Sequence, residues 1–227
     1  MPSLADKTTK QIKEILQVLI YNNIVNKFHF PSSRTKANCI ESIDFGKQDI
    51  SIVLDKNKTY REIYISLCES ESYTCELIDG GLIQLMYEFK NNTIIKHRLA
   101  FFSSPDFPLF PKDLDVLEEE KEEYSDFIAN NIVAFPIRFD FDSEVECCNP
   151  ILHPASHLTL GQYQNCRIPV SSPVTPYQFF DFILRNFYNT IFNKCFSKNH
   201  FNNFIFDDTI TENEKKITHL KIAYGSI

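Results

Sequence analysis

A chain of 227 residues, 43% hydrophobic and 14% aromatic, has enough apolar material for one sizeable core. Its net charge of −7 and pI of about 5.4 exclude a global electrostatic attraction to nucleic acid, so any such contact needs a local basic patch or a partner. With five glycines and no phosphate-binding Gly-rich loop, nucleotide-binding fingerprint or Gly-x-Ser-x-Gly elbow, ATPase and dinucleotide-dependent roles are set aside.

The start, MPSLADKTTKQIKEILQ, lacks the apolar centre of a signal peptide, and no apolar run approaches the ~18 residues that span a bilayer. The expectation is a soluble, cytoplasmic protein. Ser3 with Asp6 gives an N-cap signal, and Leu4, Ile12, Ile15, Leu16, Leu19 and Ile20 recur at helical spacing, predicting an amphipathic helix to about Phe28. Residues 39–45, 49–54 and 63–68 have β-forming composition and predict an antiparallel meander. Asp79-Gly80-Gly81 is a turn, and residues 82–90 and 93–102 predict a hairpin closed by Asn91-Asn92 in a type I′ turn. Lys96, His97 and Arg98 make its second strand locally basic, as a solvated face or, less simply, a phosphate contact.

Three prolines in SSPDFPLFP, residues 103–111, predict a linker or crossing loop and mark a possible sub-boundary in an otherwise single α+β domain, 1–227. Residues 114–128 read as a helix with an acidic outer face. The seven cysteines, at 39, 68, 75, 147, 148, 166 and 195, include no Cys-x-x-Cys spacing, and most are expected to be reduced and buried. Residues 194–203 read as a loop, and residues 204–206 and 217–224 as edge strands or short helices.

The stretch 132–192 carries the chemistry. In IVAFPIRFDFD, Val133, Phe135, Ile137, Phe139 and Phe141 alternate with Arg138, Asp140 and Asp142, which predicts a strand with one core face and one ionic face. GQYQN, residues 161–165, closes a hairpin in which Leu158 opposes Ile168, Thr159 opposes Arg167 and Leu160 opposes Cys166. His157, Thr159 and Arg167 then share the polar side. Thr175 as N-cap, Pro176 at the first position and Gln178 as capping-box partner start a buried aromatic helix over 176–193, with Arg185 at its margin.

These residues allow several chemistries. Arg138 and Arg167 could neutralise Asp140 and Asp142 in an internal ion-pair network. Alternatively, Arg138, Asp142, Thr159 and Arg167 bind a ligand, the arginines offering planar forks to phosphate, while His157, His153 and Asp140 handle protons. That set would serve a metal-independent ribonuclease. A metal nuclease is disfavoured because no Glu-x-Lys strand lies beside the aspartates, and Cys147-Cys148 are adjacent and poorly spaced for zinc. No metal and no cofactor are expected.

The run HPASHLTLGQYQNCRIPVSSPVTPYQFFDFILRNFY, with the RFDFD strand before it, resembles an uncharacterised prokaryotic family of domains of unknown function. The resemblance implies a bacterial cytosolic protein at home among variable, mobile or phage-defence genes, and it supplies no catalytic residues. Its polar landmarks match Arg138, Asp140, His153, His157 and Arg167. In related patterns a second histidine follows two residues after His157; Thr159 stands there in this chain, which argues against metal or His-pair chemistry.

The expectation is therefore an α+β fold, a mainly antiparallel sheet of about seven strands packed by the N-terminal helix and the 176–193 helix. The leading function is an accessory protein of a defence or mobile-element system, binding nucleic acid or a phosphorylated ligand beside a protein partner such as an ATPase or nuclease subunit. The alternatives are the ribonuclease and a structural or antitoxin-like protein-binding subunit.

Overall fold

The computed structural model describes residues 2–46, 58–105, 135–144, 151–162 and 165–222. Helix α1 (Leu4–Tyr21) opens with a capping box: the Ser3 hydroxyl accepts from the Asp6 amide while the Asp6 carboxylate accepts from the Ser3 amide. It stops at Tyr21 instead of running to Phe28. Asn23 enters the left-handed region at φ 55°, and the chain leaves as strand β1 (Val25–Phe28). A short exposed strand, β2 (Ser32–Lys36), then pairs with β3 (Ile40–Asp44).

The largest departure from expectation is α2 (Tyr60–Glu69), a helix where residues 63–68 read as a strand. Thr59 and Glu62 form a second capping box, and Ile63 and Leu67 fall on one buried face at helical spacing. Together they outweigh the β-forming composition. The expected strand at 49–54 and helix at 114–128 lie outside the described residues, as does most of the Pro-rich segment.

Strands β4 (Cys75–Leu77), β5 (Leu82–Lys90), β6 (Thr93–Phe102), β7 (Pro136–Asp142), β8 (Ser156–Leu160) and β9 (Ile168–Pro169) complete a nine-stranded sheet whose ladders are all antiparallel. The fold is thus the expected α+β class with a mainly antiparallel sheet, nine strands among the described residues where about seven were expected. The β5–β6 hairpin turns on Asn91 and Asn92 at φ 51° and 59°, the two positive values that a type I′ turn requires. Leu158 opposes Ile168 as the alternation predicts, although the ladder ends there and does not reach Arg167 or Cys166.

Helix α3 (Pro176–Phe187) carries the Thr175–Gln178 capping box with Pro176 at the first position. It breaks before residue 193. Tyr188 leaves helical geometry at φ −137°, its ring buried and its hydroxyl donating to Asp79, and the chain resumes as a turn (Asn189–Ile191) and a π-helical segment (Phe192–Phe196). Residues 194–196, read as loop, belong to that segment, while residues 204–206 form no strand and Leu220 makes one isolated parallel bridge to Val170. At the helix margin Arg185 pairs with Asp181 at 2.7 Å and lies 4.3 Å over the Phe192 ring.

Helices α1 and α3 cover one sheet face. Their Ile12, Ile15, Leu16, Phe179, Phe180 and Ile183 pack with Tyr87, Leu99, Ile137 and Phe139 in the main core. The buried Gln11 fastens the layer, accepting from the Tyr177 amide at 2.9 Å and donating to the Asn202 carbonyl at 2.7 Å. Helix α2 lies on the other face, where Ile63 and Leu67 meet Leu82, Ala100 and Phe102. Side chains alternate along a strand, so Arg98 shares that second face with Ala100. Among the five described cysteines, all free, only Cys75 and Cys195 are buried, fewer than expected. Among the described residues no helix is long and apolar enough to cross a membrane.

Candidate functional site

Strand β7 delivers the two faces that its sequence promises. Ile137, Phe139 and Phe141 are buried in the main core, while Arg138, Asp140 and Asp142 line the second face. Register then decides their neighbours. Asp140 sits opposite Arg98 on one side and His157 on the other; Arg138 sits opposite Ala100 and Thr159; Asp142 sits opposite Lys96.

Asp140 is the hub. Its Oδ1 accepts from Arg98 Nε at 3.1 Å, and its Oδ2 lies 3.9 Å from Arg138 Nε. All three side chains are about four-fifths buried. Burial works to raise the Asp140 pKa, but Arg98 and Arg138 outweigh it and hold the carboxyl below its usual range. Arg138 is less well served: its Nε is buried without a hydrogen-bond partner, and burial lowers its pKa despite Asp140, with Arg98 and Arg167 adding repulsion. The Arg167 guanidinium makes no hydrogen bond or ion pair among the described residues, yet it stands close enough to act electrostatically on both Arg138 and His157.

His157 is buried, and its Nδ1 lies 2.8 Å from the Pro154 carbonyl oxygen. A carbonyl oxygen only accepts, so Nδ1 carries the proton and Nε2 keeps its lone pair. Burial lowers the pKa further, opposed by Asp140, which leaves a neutral imidazole at pH 7. The half-buried His153 ring packs edge-on against it, centroids 5.3 Å apart. Thr159 is buried beside this pair, across from Arg138.

The charges do not cancel. Among the described residues, Arg98 and Arg138 contact one carboxylate, Asp140, Arg167 acts electrostatically on Arg138, and His157 is neutral, an excess of two positive charges within a protein whose net charge is −7. Arg98 and Arg138 are largely buried, where a charge costs free energy unless it is paired. Among the described residues no group of three or more His, Cys, Asp or Glu side chains is placed to hold a metal ion. Cys147 and Cys148 lie outside them.

Residues 24–222 match the model of an uncharacterized conserved protein family, DUF2290. The chain belongs to that family. Helix α1 precedes the matched segment, whereas every residue of the site falls inside it. No curated protein and no solved structure gives a significant match.

Of the sequence-selected residues, the fold gathers Arg138, Asp140, His153, His157, Thr159 and Arg167. It does not bring Asp142 into the network expected with Arg138 and Arg167. Asp142 pairs with Lys96 at 2.7 Å, both half-exposed, and its other oxygen accepts from the Glu144 amide. Arg98 is the addition. It belonged to a run read as a basic strand, and only the β6–β7 pairing sets it against Asp140. His97, its neighbour in that run, turns the other way into the core, where its Nε2 accepts from the Val174 amide at 3.0 Å.

Proposed function

We propose that this protein is a cytoplasmic accessory component of a bacterial defence or mobile-element system, and that its Arg98–Arg138–Arg167 cluster binds the phosphate of a nucleic acid or phosphorylated ligand within a protein complex. The observation that carries the binding is the excess of positive charge among the described residues: two guanidinium groups on the single carboxylate of Asp140, and a third, Arg167, close enough to act on Arg138, whose buried Nε has no hydrogen-bond partner. Arginine forks match phosphate oxygens in geometry and charge. The overall acidity of the chain restricts such binding to this patch and fits a role beside a partner subunit, an ATPase or nuclease being the expected kind.

The test is retention of nucleic acid by the purified chain at low and raised salt, with wild type compared to Arg167→Gln. Arg167 serves because among the described residues it makes no ion pair whose loss would disturb the fold. Binding should weaken with salt through counterion release and fall in the variant with a shallower salt slope. Binding that ignores both salt and Arg167 refutes the assignment.

A second reading, a metal-independent ribonuclease, is favoured by one feature: the fixed tautomer of His157, whose Nε2 lone pair suits a general base at neutral pH. It requires RNA cleavage that disappears in His157→Gln at unchanged melting temperature. Cleavage undiminished in that variant ends this reading.

A further inference from the structure

We infer that the cluster selects a terminal phosphate monoester over the internal phosphodiesters of a nucleic-acid backbone. This deepens the phosphate reading and rests on it. Charge is the first argument. A monoester carries about −1.5 to −2 at pH 7, against one charge for a diester. Among the described residues Arg98, Arg138 and Arg167 exceed Asp140 by two positive charges, which match the monoester and would be left half-neutralised by a diester.

The second argument is the layout of the surrounding face. Binding that tracks a backbone needs a basic groove continuing past each phosphate. Along the described sheet rows leading from the cluster, three cations instead sit against carboxylates: Lys96 with Asp142 at 2.7 Å, Lys36 with Glu88 at 2.7 Å, Arg34 with Asp44 at 2.9 Å. The cluster is a point of positive charge, not a track.

Enclosure is the third. Arg98, Arg138 and Asp140 are about four-fifths buried, and His157 and Thr159 nearly fully so. A terminal phosphate needs access from one side only to bring its three oxygens to the guanidinium groups, whereas a diester must pass through in both directions. Arg138 Nε is buried without a hydrogen-bond partner, its carboxylate neighbour on Asp140 standing 3.9 Å away.

The experiment is fluorescence anisotropy with the full chain and two short single-stranded oligonucleotides of one sequence, labelled at the 3′ end, one bearing a 5′-phosphate and the other a 5′-hydroxyl. A nucleoside 5′-monophosphate and inorganic phosphate serve as competitors. The 5′-phosphorylated probe should bind at least about tenfold tighter, the least that one additional charge-assisted hydrogen bond contributes. Arg167→Gln should abolish the difference while the melting temperature stays unchanged. Displacement by the monophosphate at similar concentration supports the inference with a small phosphorylated ligand as its source; displacement only by the phosphorylated oligonucleotide supports it with a nucleic-acid end. Equal affinity for the two probes, both weakened by Arg167→Gln, overturns the monoester inference and leaves phosphate binding standing. Absence of binding by every probe, inorganic phosphate included, overturns both.

Discussion

His97 ties stability to pH in a way that can be worked through. Its imidazole is fully enclosed between Tyr87 and Phe141, with Nε2 accepting from the Val174 amide and Nδ1 without a hydrogen-bond partner. Burial pushes its pKa from 6.5 down to about 4, against the pull of Asp140 on the opposite face and with a smaller push from His157. A histidine depressed in the folded state binds its proton more weakly there than in the unfolded chain. Its contribution is therefore complete above the unfolded value of 6.5 and is lost as pH falls toward 4. A gap of about 2.5 pKa units at 1.36 kcal/mol each corresponds to about 3 kcal/mol. Urea denaturation at pH 7.5 and pH 4 would measure it, comparing wild type with His97→Gln, which retains an acceptor for Val174 but cannot titrate. Wild type should lose about 3 kcal/mol more than the variant between the two conditions. His157 shifts in the same direction, and because it is present in both proteins its contribution cancels. Parallel pH profiles would refute this account of the core.

Three further outcomes are expected. Asp140→Ala leaves Arg98 largely buried without its carboxylate and should lower stability by about 3 kcal/mol in chemical denaturation, whereas Arg138→Ala, whose ion pair is 3.9 Å long, should cost clearly less. Thr175→Ala removes the α3 cap and should cost about 1 kcal/mol, and helix fraying should appear as faster amide exchange at residues 177–179. Asn91→Gly should be nearly neutral at its positive φ, while Asn92→Gly should cost about 1 kcal/mol because Asn92 Oδ1 accepts from the Leu4 amide at the start of α1 at 2.7 Å.

What the sequence disclosed was local. The capping residues Ser3 and Thr175, the Asn91-Asn92 turn and the alternation of β7 each act within a few positions, so spacing alone reveals them. At Thr59–Glu62 the same kind of capping signal is masked by the strand-forming isoleucines and tyrosines that follow it. β2 had no apolar alternation to announce it, because it is an exposed edge held by backbone bonds to β3. The site divides in the same manner. Alternation placed Arg138, Asp140 and Asp142 on one face, but which charge meets which is fixed by strand neighbours distant in sequence. Lys96 takes Asp142 and Arg98 takes Asp140 only once β6 lies beside β7. The excess positive charge therefore became visible only with the sheet assembled.

The central claim is that the arginine cluster binds phosphate, and thermal melting in phosphate against chloride at matched ionic strength tests it most directly. The wild-type melting temperature should rise as phosphate populates the bound state, which gains about 2.7 kcal/mol of stability at a hundredfold excess over the dissociation constant. Arg167→Gln should show only the small general rise that phosphate gives any folded protein. Equal shifts in the two proteins would contradict the claim.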